Sequence, residues 1–148
     1  MTTAKTMAAE ALFPMLSVFH SISGQPLQAV WQIYTQGSLD RLVLDFAQTS
    51  LTVIADENDD SLDLKVAATT DPRSLGAVDV SDLGPWQLFI GQPFGWGWLT
   101  LNQQGYCDGA LLSWGGIVPQ IVLNVRASSI HAESIEVSRH VIRSNHVE

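Results

Sequence analysis

"GWGWLTLNQQGYCDGALLSW", residues 95–114, is the stretch whose conformation decides how this chain folds. Its centre, NQQG at 102–105, puts Asn at the first and Gly at the fourth position of a four-residue turn. Asn favours that first position, and Gly supplies positive φ where a hairpin is re-twisted by a bulge. Alternating β-formers flank the turn, so the stretch predicts two antiparallel strands bent back at Gly105. On a period of two, Trp96, Trp98, Thr100 and Asn102 share one face of the first strand, and Leu99 and Leu101 take the other. On the return strand Tyr106, Asp108, Ala110, Leu112 and Trp114 oppose Cys107, Leu111 and Ser113. Both faces are largely apolar, which suits a strand pair covered on both sides. Asp108, a carboxylate among aromatic residues, needs a hydrogen bond, an ion pair or water.

Outward from this hairpin the same alternation recurs. QAVWQIY (28–34), LDRLVLDFA (39–47), LTVIA (51–55) and LDLKVA (62–67) are separated by short polar turns and predict an antiparallel meander. QIVLNVRA (120–127) and IHAESIEVS (130–138) follow the hairpin. Residues 68–95 lack the pattern and carry Pro and Gly clusters, making them the longest excursion. Such excursions cover open sheets or carry function. Within 1–12 lies a short Ala-rich helical segment, which Pro14 should end or break. The expected architecture is mainly β, with α+β as the variant. It is a curved antiparallel sheet, or a sandwich or roll, of seven to eight short strands with one short N-terminal helix. One domain over 1–148 is expected, with 1–8 and 143–148 as flexible ends.

At 148 residues with 46% apolar composition, the chain can build a core without a metal or a disulfide. A single Cys forms no internal bridge, so the fold tolerates a reducing compartment. The N-terminus carries Glu10 and Pro14 where a signal peptide needs an apolar run, and no stretch of about 18 apolar residues occurs. A cytoplasmic protein without membrane contact is the expectation. The formal charge is −8, and eleven of the fifteen acids lie within 40–108 against Arg41, Lys65 and Arg73. With no Lys/Arg stripe to neutralise phosphates, nucleic-acid binding is not expected.

DENDDSLDLKVA (56–67) begins like a calcium loop, with Asp56, Asn58 and Asp60 at positions one, three and five. Ser61 stands where the loop needs Gly, and Ala67 where it needs a bidentate Glu. A solvated, mobile hairpin tip is the simpler account. Its carboxylates Asp56, Glu57, Asp59 and Asp60 are candidates for attracting a basic protein partner. HAE at 131–133 matches half of a zinc-deaminase signature, but no Cys follows Cys107 to complete it. His20, His131, His140 and His146 show no metal-ligand spacing. Cys107 lies between Tyr106 and Asp108, and an adjacent carboxylate raises a thiol's pKa, so it reads as buried and inert. Ser113 lacks the glycine two residues before it that a nucleophile elbow requires. Neither metal nor cofactor is expected.

GQPFGWGWLTLNQQGYCDG (91–109), with the acidic DEND tip before it, resembles a segment of small uncharacterised bacterial proteins of unknown function. The resemblance implies one compact bacterial domain. It implies no activity, and no site residue is carried over.

Two functions remain open. One is a non-enzymatic interaction module, an acidic adaptor or immunity-type protein binding a more basic partner, with self-association as its variant. The other is a small-molecule-binding domain, with a hydrolase or isomerase as its variant, that has an aromatic-lined pocket around residues 84–114. There Trp96, Trp98 and Tyr106 would be platforms and Asn102, Gln103 and Asp108 polar contacts.

Overall fold

The computed structural model describes residues 9–56, 58–69 and 71–135. The expected flexible ends at 1–8 and 143–148 lie outside these residues, as does Glu57.

The helix α1 spans Ala9–Ile22. Met15, Val18, Phe19 and Ile22 are buried and recur at the spacing of one helical face. Pro14 does not end this helix but sits within it. A proline removes its own N–H from the ladder and crowds the carbonyl four residues back, and burial of the apolar stripe that follows outweighs that cost. The Ser17 hydroxyl donates to the Pro14 carbonyl at 2.8 Å.

Two antiparallel sheets follow in succession, and neither closes on itself. The first contains β1 (Leu27–Thr35), β2 (Ser38–Phe46), β3 (Thr49–Ala55) and β4 (Leu62–Ala68), which form the expected meander. A two-residue strand, β5 (Val78–Asp79), joins the free edge of β1 and brings the strands to nine among the described residues. Val80 N–H donates to the Val30 carbonyl, and Val30 N–H donates to the Ser81 hydroxyl, both at 2.9 Å. Ser81 in turn donates through its hydroxyl and its N–H to the Asp79 carboxylate, holding that carboxyl below the usual range. The second sheet is a meander of β6 (Phe94–Leu101), β7 (Cys107–Trp114), β8 (Ile121–Arg126) and β9 (Ser129–Ser134).

Inner faces of both sheets and α1 share one hydrophobic core. Leu42, Leu44, Phe46, Leu51 and Val53 project from the first sheet; Leu112, Ile121 and Leu123 from the second. At the centre sits Phe94. Its ring stacks on Phe19 of α1 (6.0 Å) and meets Phe46 of β2 (6.1 Å) and Trp114 of β7 (5.6 Å) edge-on. Trp114 also stacks on Phe89 at 4.6 Å and meets Trp86 edge-on at 6.5 Å, which draws the 84–93 connection onto the core. Trp86 and Trp114 are thus filling, 1% and 3% exposed. That connection is also tied to the start of β1 through backbone bonds from Leu27 to Gln92 and from Gly91 to Leu27.

Helix and second sheet come together at Gly97, where an added Cβ would overlap the Phe19 ring. Gly97→Ala should therefore destabilise by about 1–3 kcal/mol, although Ala normally suits a strand better than Gly. Gly116, with open space around it, gives the control. Urea denaturation checks both: loss at Gly97→Ala with little change at Gly116→Ala is the expected pair.

Candidate functional site

The hairpin forms as its turn sequence dictates. Gly105 N–H donates to the Asn102 carbonyl at 2.9 Å, and Gly105 has φ 88°. Asn102 also accepts from Gln104 N–H through its side chain at 2.8 Å. Asn102 is thereby committed to the turn. Tyr106 is half-buried where the return strand begins.

The two faces of this strand pair differ from expectation. Gly97 and Leu99 face inward, opposite Leu112 and Ala110. Trp96, Trp98 and Thr100 face outward, and no described element covers them. Trp98 heads a row across all four strands, Trp98–Leu111–Val122–Glu133, and Thr100 heads the next, Thr100–Gly109–Asn124–His131. Trp96 is 54% exposed and stacks on Trp98, with centroids 6.5 Å apart and rings inclined by 27°. Glu133 pairs with Arg126 at 3.4 Å, so the face carries little net charge. Strand β6 is also a sheet edge.

A register shift between Thr100 and Leu101 breaks the alternation expected for the return strand. The bulge leaves Asp108 as the extra residue and turns Cys107 into the core beside Ala110 and Leu112, rather than onto the face of Leu111. Asp108, half-buried, accepts a hydrogen bond from the Thr100 hydroxyl at 3.2 Å. Burial, and then the Asp108 charge, push the Cys107 thiol up, so it stays protonated.

The acidic tip is organised by its own carboxylates. Asp56 accepts from Asn58 N–H at 2.8 Å, and Asp59 from Ser61 N–H at 3.0 Å. Asp60, at φ 58°, reaches across to accept Ser128 N–H at 2.8 Å, tying this tip to the β8–β9 turn. Sequence spacing alone gave no sign of that link, because its partner lies 68 residues away. Among the described residues no three His, Cys, Asp or Glu side chains gather to hold a metal ion. No described helix is long and apolar enough to cross a membrane.

A second feature, not anticipated from sequence, is a half-open trough of about 330 Å³ between the inner face of β1–β2 and the free edge of β9. Gln32 and Tyr34 of β1 form one wall, with Leu39 and Leu42 of β2 beneath. Gly84, Pro85 and Trp86 close one end, and Ser129 through Ala132 form the opposite wall. Residues 84–86 are the part of the expected 84–114 pocket that takes part. Trp96, Trp98, Asn102, Tyr106 and Asp108 do not line this trough.

A family model described as a family of unknown function, DUF6334, matches residues 7–139. No curated protein matches the chain. No solved structure matches it.

The Asp60 link makes a direct prediction. Asp60→Ala should cost about 1–2 kcal/mol by losing the acceptor for a part-buried N–H at a left-handed position. Asp60→Asn, which keeps an acceptor and tolerates that conformation, should cost less than half as much. Thermal or urea melts of the two variants decide whether the carboxylate works as an acceptor or as a charge.

Proposed function

We propose that this chain, which belongs to the DUF6334 family, is a protein-interaction module that docks a more basic protein on the outer face of its second sheet, around Trp96 and Trp98. The observation that carries this reading is a pair of stacked indoles, one of them 54% exposed, on an otherwise weakly charged sheet face. Tryptophan is costly to leave in water and is enriched among residues that dominate binding energy. Leu111 and Val122, half-buried in the same row, extend the apolar centre that such a contact needs.

Charge supplies the partner's character. At −8, the chain attracts a cationic surface at long range and repels a second copy of itself. The tip carboxylates Asp56, Asp59 and Asp60 already accept backbone hydrogen bonds, so they add to this field rather than offering free contact groups. Steering by the acids and anchoring by the indoles are separable roles.

The test uses the immobilised full chain, native extract in low salt, identification of a retained basic protein, and titration of that protein in purified form. Trp96→Ala with Trp98→Ala should weaken the affinity at least about tenfold with the fold intact by circular dichroism. Raising salt from about 50 to 300 mM should weaken it further. Retention of no protein, or equal affinity for the double variant, contradicts the reading. So does a dimer in light scattering that the same double variant abolishes, since the face would then be occupied by a second copy.

A further inference from the structure

We propose that the trough between β1 and β9 is a binding site for a small, uncharged, planar heterocycle whose edge carries an amide N–H beside a C=O, of nucleobase or nicotinamide size. The site is separate from the Trp96–Trp98 face and stands whether or not that face docks a protein.

Size and charge set the class. A volume of about 330 Å³ lies at the small end of ligand pockets. No Asp, Glu, Lys or Arg lines it and His131 is its one imidazole, so an ionic ligand would be desolvated without a permanently charged partner. What the walls do offer is hydrogen-bonding capacity. Tyr34 donates its hydroxyl proton to Gln32 Oε1 at 3.1 Å, which fixes the amide and leaves Gln32 Nε2 as a donor. Ser129 Oγ accepts from Leu39 N–H at 3.2 Å and keeps its own proton to give. The Tyr34 ring, 53% exposed, supplies a flat apolar surface for stacking, and the buried Trp86 closes the floor at one end.

The strand edge sets the geometry. Ile135 N–H donates to the Gln120 carbonyl at 2.9 Å. Counting back in twos along the antiparallel register from that bonded pair, Glu133, His131 and Ser129 turn their backbone groups to β8. Ile130 and Ala132 therefore turn theirs the other way, where no described strand lies. Both residues line the trough. Ile130 is buried, so the accessible pair is that of half-buried Ala132, whose N–H and C=O stand side by side on the same edge as donor and acceptor. That pair matches a ligand edge carrying C=O next to N–H through two hydrogen bonds, leaving Gln32 Nε2 and the Ser129 hydroxyl for substituents across the ring.

Amide-resolved NMR titration of the full chain tests this, with uracil and nicotinamide as probes and 1,3-dimethyluracil as a ligand of similar shape whose N–H groups are blocked. Saturable shifts centred on Ser129–Ala132 and the Gln32 side chain are expected. Dimethyluracil should bind at least about tenfold more weakly, because it cannot donate to the strand carbonyl. Gln32→Leu should weaken uracil by a similar factor without disturbing the core amides. No saturable shift from either probe up to about 20 mM overturns the proposal. So do equal shifts from dimethyluracil, or shifts that map to Trp96 and Trp98 instead of β9. The wild-type comparison alone decides, whatever the stability of the variant.

Discussion

The packing of Phe94 between α1, β2 and Trp114 is the contact on which the rest of this structure depends. The chain builds one meander, crosses over through an irregular segment, and builds a second, so few local contacts tie the halves together. Phe94 opens the second meander, yet its ring touches Phe19 from the helix and Phe46 from the first sheet. Trp114, its register partner across β7, draws in Phe89 and Trp86 from the crossover. Aromatic rings bury large areas with little side-chain entropy to lose, and offset or edge-on pairs add about 0.5–1.5 kcal/mol each beyond burial. A handful of rings therefore joins four parts of the chain.

Two consequences follow from that arrangement. The helix must come close to β6, and only glycine at 97 lets the Phe19 ring lie against the strand. With α1 and the first sheet on one side, the second sheet has its other side open, and the outward residues of β6 become surface. Trp96 and Trp98 thus lie two and four residues from Phe94 in sequence and on the opposite side of the sheet in space. The fold uses the inner aromatics for stability and leaves the outer pair available for contact. On the other edge, β9 turns backbone groups that no described strand pairs toward the first sheet, where Gln32 and Tyr34 replace the aliphatic residues found further along the same face.

Much of this was legible in the residues. The Asn102–Gly105 turn and eight of the nine strands carry local signals, alternation and turn chemistry, that tertiary packing did not override. The ninth, Val78–Asp79, is too short to show any period. Pro14 misled because a helix tolerates one missing bond when an apolar stripe resumes beyond it. The bulge at Asp108 was hidden too: one extra residue exchanges the faces of Cys107 and its neighbours, and no composition signal marks it. The trough draws on residues 32–42, 84–86 and 129–132, which acquire meaning only when the two sheets are stacked. A lone Gln, Tyr or Ser in a strand looks like ordinary surface until its neighbours across the fold are known.

Native-state hydrogen exchange on Phe94→Leu tests most directly whether that ring couples the two meanders. If it does, the most protected amides of β2–β3 and of β7–β8 should lose protection together and by the same free energy, because the sheets open as one unit. A drop confined to β7–β8, with β2–β3 protected as before, would show that each sheet stands independently and would contradict the account.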